Sequence, residues 1–357
     1  MSIQSLARPE ILALKPYASA RILADSAGVL LNANENPWAP IVNGAGNGAA
    51  LNRYPDPQPA ALKAALAGEY GVRADQLLIT RGSDEGIDLL VRTFCRPGTD
   101  KVLICPPCFG MYALSARVQG ASVIEVPLVE HEDRFEADFA AIGNAAECKI
   151  HFLCSPNNPT GNELAGASIA DLAARVADHG LVVVDEAYVE FGDQPSLAAR
   201  VGEVPNLVVL RTLSKAYGLA GCRIGAVIAS TEIIGLLRRI IAPYPLPTPA
   251  VAAAMKVLAP GARKRRRRQL VTLKAEKRTL VTALDAHPAI INIWPGAANF
   301  VLVRTTTGAD LVAAATRAGI RLRDQSAQPG LADCVRITIG TPEENLKLIE
   351  FLNAWQP

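Results

Sequence analysis

The chain has 357 residues, 50% of them hydrophobic and 20% charged, with a formal net charge of +2. That composition supplies apolar surface for one large core or two joined cores. The charge is too small to point to nucleic acid or an anionic membrane as a partner.

Near the N-terminus, Arg8, Glu10 and Lys15 interrupt the apolar residues, so the clean apolar stretch of a signal peptide is missing. "GAGNGA" (44–49) matches the loose dinucleotide pattern G-x-G-x-x-A, but it precedes "LNRYPDPQP" rather than a helix and reads as a loop. From residue 77 onward, short β-branched runs alternate with helical patterns. Strands are expected at 77–80, 102–105, 122–128, 150–154, 181–191, 207–213 and 223–230, with helices near 84–95, 110–119, 168–179 and 231–240. Several of these strands are apolar at every position, which marks burial on both faces. The alternation predicts an α/β fold, a mostly parallel sheet covered by helices, with ligands at the carboxyl ends of its strands. The uncharged tract Ile240–Met255 is too short to span a bilayer, and Pro243, Pro245, Pro247 and Pro249 break it. Beyond it the pattern changes to a long charged helix (about 261–286), "INIWPGAANFVLVRT", a helix near 310–319, "VRITIGT" and a last helix from Pro342. We therefore expect a large domain over 31–245, a smaller α+β domain over 246–357, and an arm at 1–30 that contributes to the smaller one. The basic run "RKRRRR" (263–268) reads as a solvated helix face.

The seven cysteines (95, 105, 108, 148, 154, 222 and 334) are odd in number and irregular in spacing, which fits reduced thiols in the cytoplasm. Cys105 and Cys108 match C-x-x-C, yet no second pair or nearby histidine completes a metal site, and they read as apolar residues flanking a turn.

The chemistry lies at the strand ends. "CSPNNPTG" (154–161) follows a buried strand, "VVVDEAY" (182–188) puts an acid at the end of another, and "TLSK" (212–215) closes the next. "RGSDEG" (81–86) opens a helix, with Ser83 or Asp84 placed to cap it. Each group alone has an ordinary explanation as a cap, a turn or a solvated charge. Together they supply what one cofactor needs, pyridoxal 5′-phosphate. Its aldehyde takes up a lysine amine, here Lys215. Its ring nitrogen keeps a proton beside a buried carboxylate, Asp185. Tyr188 and Asn158 supply donors to the phenolate oxygen. Backbone N–H groups at 83–84, with Ser214 and Arg223, hold the phosphate. No Walker pattern surrounds Lys215, and the small residues after it would let the backbone approach the cofactor closely.

These motifs resemble fold-type I pyridoxal-phosphate aminotransferases. The further segments "KPYASAR", "LNANENP", "NRYPDPQP", "FCRPG", "GMYALSA", "RTLSKAYGLAGCRIG", "APYPLPTP", "LRDQ" and "VRITIGT" are similar to the histidinol-phosphate branch of that family, nearly end to end. The resemblance implies transamination between L-histidinol phosphate and 2-oxoglutarate by a homodimer with shared sites. In it, Tyr54 would reach the neighbouring subunit's cofactor phosphate. Arg336 would grip the substrate's carboxylate or phosphate, Arg323 and Tyr17 would surround its phosphate end, and Asn34 would line the pocket. Phe109 would stack on the cofactor ring where relatives often carry a tyrosine. An aromatic aminotransferase and an O-phosphothreonine decarboxylase share the cofactor set and stay open as alternatives. A catalytically silent regulator of the same fold fits less well with the intact Lys215, Asp185, Tyr188 and Arg223.

Overall fold

Unbroken runs of Val, Leu and Ile form the centre of the large sheet in the computed structural model, which describes residues 2–16, 51–145 and 147–356. In chain order the strands are β1 (Leu77–Thr80), β2 (Lys101–Ile104), β3 (Ser122–Glu125), β4 (Val129–Glu130), β5 (Phe135–Glu136), β6 (Cys148–Cys154), β7 (Leu181–Asp185), β8 (Leu207–Thr212) and β9 (Gly225–Ile228). Seven of them join in the order β1-β9-β8-β7-β6-β2-β3, with β4 and β5 forming a separate hairpin. From β8 to β3 every pairing is parallel, and β9 runs antiparallel to both of its neighbours.

Every residue of β7 and β8 is buried. Strand alternation sends their side chains to two cores. Val182, Val184 and Val209 join one face with Leu62, Leu66 and Leu172, while Leu181, Val183 and Val208 join the other with Leu90, Phe94 and Phe152. Each such side chain contributes about 1.5–3 kcal/mol by leaving water. This explains why β7 carries no polar residue before Asp185 and β8 none before Arg211.

The second sheet is antiparallel, in the order β10-β11-β13-β12, from β10 (Ile290–Trp294), β11 (Phe300–Thr305), β12 (Arg323–Asp324) and β13 (Cys334–Thr338). The long helix Pro260–Asp285 and the helix Pro342–Ala354 cover it through Leu280, Leu284, Leu348 and Leu352. The last helix begins with a capping box. Thr341 Oγ1 accepts from Glu344 N at 3.2 Å, and Glu344 Oε2 accepts from Thr341 N at 2.8 Å.

Several expectations are corrected here. The strand expected at 181–191 stops at Asp185, because the Asp185 carboxylate accepts from Ala187 N and the chain turns into the short helix Val189–Phe191. Of the arm expected at 1–30, Ile3, Leu6 and Ala7 pack in the core of the large sheet, and residues 17–30 lie outside the described residues. Beyond the proline-rich break, Leu246, Ala250, Ala254 and Leu258 also belong to the large sheet's core. Within the basic run, Lys264, Arg265, Arg267 and Arg268 are exposed, but Arg263 and Arg266 both pair with Glu69, and Arg266 lies 4.0 Å over the Tyr217 ring.

Candidate active site

The carboxyl ends of β6, β7 and β8 meet the start of the helix Gly82–Phe94 and open into a cleft of about 550 Å³. Strands β12 and β13 of the small sheet face the same space. Ser83, Asp84, Phe109, Asn158, Asp185, Tyr188, Ser214, Lys215, Arg223, Arg323 and Arg336 all line it. Tyr54 does not line this cleft. It is half exposed and stacks on Tyr244, with ring centroids 4.4 Å apart. Tyr17, Asn34 and the loop 44–49 lie outside the described residues.

Asp185 is the last residue of β7 and is 3% exposed. Oδ1 accepts from Ala187 N at 3.1 Å and Oδ2 from the Tyr112 hydroxyl at 2.9 Å. No cation pairs with it among the described residues. Burial, only partly offset by those two donors, pushes its carboxyl up to about 6. It is an acid in need of a positive partner.

Lys215 follows β8, with Nζ 5.3 Å from the centre of the Tyr188 ring. Its side chain reaches solvent through the cleft mouth, yet partial burial and then the nearby Arg336 lower the ammonium's pKa. Burial pushes the Tyr188 phenol above its usual range, so it stays a proton donor. Asn158 Oδ1 accepts from Arg336 Nη1, which leaves the Asn158 amide N–H groups free to point elsewhere. Arg336 is opposite Arg323 in the β13–β12 register, so two guanidinium side chains leave the sheet on one face. Burial lowers the Arg336 pKa, and its buried Nε has no hydrogen-bond partner among the described residues. Two close guanidiniums and an unused donor make a place for an anion.

At the opposite end, no side chain caps the helix Gly82–Phe94, so neither Ser83 nor Asp84 performs the capping expected of it. The first N–H groups remain available to a ligand. Asp84 instead pairs with Arg223 Nη2 at 2.9 Å, and Arg223 Nη1 donates to Ser214 Oγ at 3.3 Å. Arg223 holds a left-handed backbone, φ 53°, a conformation that costs a non-glycine residue about 1–3 kcal/mol. The close approach in this corner depends on Gly82 and, of the glycines after Lys215, on Gly225 rather than Gly218 or Gly221. A Cβ on Gly82 would stand 2.6 Å from Arg223 Nη2, and one on Gly225 would stand 2.7 Å from Ser83 N, whereas Gly218 and Gly221 have nothing within 4 Å.

These residues suit a flat phosphate ester with a cationic ring. The glycine-lined corner, helix start, Ser214 and Arg223 fit the phosphate. Asp185, uncompensated, fits a protonated ring nitrogen, and Lys215 fits an aldehyde. Phe109 provides an apolar wall.

Two residues that line the cleft and one buried behind it carry no role in the sequence reading. Tyr112 stands in "GMYALSA", three residues after Phe109 on the helix Met111–Gln119, and its hydroxyl sets the Asp185 carboxylate. Helical spacing could have suggested the pair, but its partner is 73 positions away. Gln325 and Gln328 line the cleft beside Arg323, and Gln328 donates to Gln325 Oε1 at 2.8 Å. Gln325 ends the segment "LRDQ", which carried a role only for Arg323, and nothing in the local sequence marks Gln328.

The family described as aminotransferase class I and II matches residues 26–352. A histidinol-phosphate aminotransferase of Stenotrophomonas maltophilia (strain R551-3) is 47% identical over 355 residues, 99% of this chain and 97% of that protein. Another, from Xylella fastidiosa (strain 9a5c), is 46% identical and covers 98% of this chain and 96% of its own. Among solved structures, the histidinol-phosphate aminotransferase of Sinorhizobium meliloti in complex with pyridoxal-5′-phosphate aligns with a TM-score of 0.75 at 25% identity, covering 85% of this chain and 83% of that one. The L-threonine-O-3-phosphate decarboxylase of Porphyromonas gingivalis aligns with a TM-score of 0.71 at 25% identity, covering 85% and 90%.

Proposed function

The chain belongs to the class I and II aminotransferase family, and from that premise we propose that its cleft moves an amino group between L-histidinol phosphate and 2-oxoglutarate, giving imidazole-acetol phosphate and L-glutamate. One observation carries the reading: a single cleft holds an accessible amine, a buried carboxylate without a cation, and two guanidiniums opposite each other in register.

Bound pyridoxal 5′-phosphate supplies an aldehyde that takes up amines and a ring that draws electrons from the adjacent substrate carbon. Asp185 holds a proton at the ring nitrogen, and Tyr112 and Ala187 N orient its two oxygens. Tyr188 and the amide of Asn158 donate toward the phenolate oxygen. Backbone N–H groups of Ser83 and Asp84, with Ser214 and Arg223, hold the phosphate, while the Asp84 carboxylate stays neutralised by Arg223. Lys215 Nζ removes the substrate's α-proton and returns it. Its lowered pKa keeps more of the amine neutral and basic near neutral pH. Arg336 and Arg323 bind the substrate anion, and a planar fork accepts either a carboxylate or a phosphate. One site can thus serve both half-reactions.

The active unit in this reading is a homodimer, with Tyr54 directed to the partner's site. Its half exposure, outside its own chain's cleft, supports that role. A cytoplasmic location is supported by seven free cysteines. No helix among the described residues is long and apolar enough to cross a membrane.

The test is a pair of half-reactions on the purified holoenzyme. L-histidinol phosphate, and separately phenylalanine, are added while the cofactor absorbance is followed and products are identified. Fast conversion by histidinol phosphate to imidazole-acetol phosphate supports the assignment. Preference for phenylalanine, or release of carbon dioxide from O-phosphothreonine, would replace it.

A further inference from the structure

A second cavity, of about 580 Å³, lies between the long helix Pro260–Asp285, the loop after Phe191 and the turn Pro295–Asn299. It shares no lining residue with the cleft. Lys277 reaches it from the helix, and its Nζ lies 2.8 Å from the carbonyl oxygens of both Gly296 and Ala298. The charged groups around it are Lys274 and Arg278 on the same helix and Asp193 on the facing loop, with Lys274 and Asp193 paired at 2.8 Å. Burial, and then Lys274, bring the Lys277 ammonium down to about 8.

A neutral amine has two N–H bonds and one lone pair. Two carbonyls accept those two N–H bonds, so deprotonation leaves both contacts in place and directs the lone pair to the remaining space. The cavity has room for a small group added there.

The turn that Lys277 holds is joined to the first cleft. Ala297 N donates to Gly161 O at 2.6 Å, and a Cβ on Gly296 would stand 2.5 Å from Gly161 Cα, so the two turns touch through backbone. Gly161 closes the turn that carries Asn158, the acceptor for Arg336. Phe300, just beyond Asn299, packs edge-on against Tyr188 at 5.4 Å and lies 5.3 Å from the Arg336 guanidinium.

We propose that Lys277 is a site of N-acylation by small acyl phosphates, and that the modification weakens the hold on the anionic substrate through the Gly296–Phe300 turn. The Nζ lone pair attacks the acyl carbon, the bond from that carbon to the phosphate oxygen breaks, phosphate leaves with the electron pair, and Nζ gives a proton to solvent. The amide that remains has one N–H bond, so one of the two carbonyl contacts is lost along with the positive charge. The kinetic consequence rests on the function proposed above, whereas the chemical labelling does not.

The experiment treats the holoenzyme with acetyl phosphate between pH 7 and 10 and follows each lysine by peptide mass spectrometry, with exposed Lys264 as the internal reference. Lys277 is expected to be acetylated about tenfold faster than Lys264 at pH 8, with a rate that rises from pH 7 and levels off above pH 8. The acetylated enzyme is expected to show a KM for L-histidinol phosphate raised about fivefold or more, with unchanged cofactor absorbance. Lys277→Gln should reproduce that KM, and Lys277→Arg, which keeps two donors and the charge, should not. Labelling of Lys277 no faster than Lys264 overturns the proposal, as does a wild-type KM in acetylated or Lys277→Gln enzyme. Labelling is read without substrate, so an enzyme that labels as expected but ignores histidinol phosphate counts against the proposed reaction instead.

Discussion

Asp185 and Glu186 are adjacent, both buried, and face opposite sides of the large sheet where β7 ends. Burial raises the pKa of both carboxyls. Their surroundings differ. Glu186 is satisfied on every side: Oε1 accepts from Leu197 N at 2.6 Å, and Oε2 accepts from Ser196 Oγ and pairs with Arg211 Nη1 at 3.4 Å. Arg211 in turn pairs with Glu190 at 2.6 Å and lies 4.5 Å over the Tyr70 ring. Among the described residues Asp185 has only two neutral donors, and it opens on a cleft. A buried charge with its counter-charge built in is scaffold, and one left without a counter-charge is a binding site for one.

Substitutions can break or sharpen that contrast. The largest effect is expected outside the pair: Lys215→Ala should reduce turnover by at least about 10⁴-fold, since it removes both nucleophile and proton carrier. Single-turnover assays with either substrate would read this. Within the pair, Asp185→Asn should reduce turnover by about 10²–10³-fold, an electrostatic loss of the size found for preorganised groups, without destabilising the fold. Glu186→Gln should do the reverse, costing about 3–5 kcal/mol of stability by leaving Arg211 underpaired while folded molecules keep turning over. Parallel urea unfolding and kcat measurements decide, and a similar outcome for both variants would remove the distinction.

Arg336→Ala should cost about 2–5 kcal/mol in kcat/KM for both half-reactions. A loss confined to the dicarboxylate substrate would assign the phosphate to Arg323 alone.

The smallest effect concerns Tyr112. In the cofactor-stripped protein Asp185 titrates near 6, against about 3.9 in an unfolded chain. Its contribution to stability is therefore fully present below about pH 4 and is lost as pH rises through 6, a decline of about 3 kcal/mol. Asp185→Asn should flatten that decline. Tyr112→Phe removes a donor that favours the ionised form, so the decline should extend above pH 6, with a rate loss of about tenfold in the holoenzyme. Urea unfolding across pH 4–8 checks both.

The central strands β7 and β8 were legible because they are buried on both faces and so open with unbroken apolar runs, Leu181–Val184 and Leu207–Leu210. The boundaries of packing were less so. The helix Thr248–Leu258 follows a proline-rich break that reads as a division, yet Ala250, Ala254 and Leu258 complete the core behind it. Arg263 and Arg266 sit in a run that reads as solvated, and only the fold brings Glu69 and Tyr217 beneath them.

From residues 154–161, 182–188 and 212–215 alone, the sequence determined that an amide, an acid, a phenol and a lysine stand at successive strand ends. Strand-end position is a local property, set by where an apolar run stops. Tertiary structure decided which of two neighbouring acids has no cation among the described residues, that Tyr112 holds it, and that Gly82 and Gly225, rather than Gly218 and Gly221, admit close contact. Those outcomes depend on partners distant in the chain, and only the alternation of β7 across the sheet separates the face of Asp185 from that of Glu186.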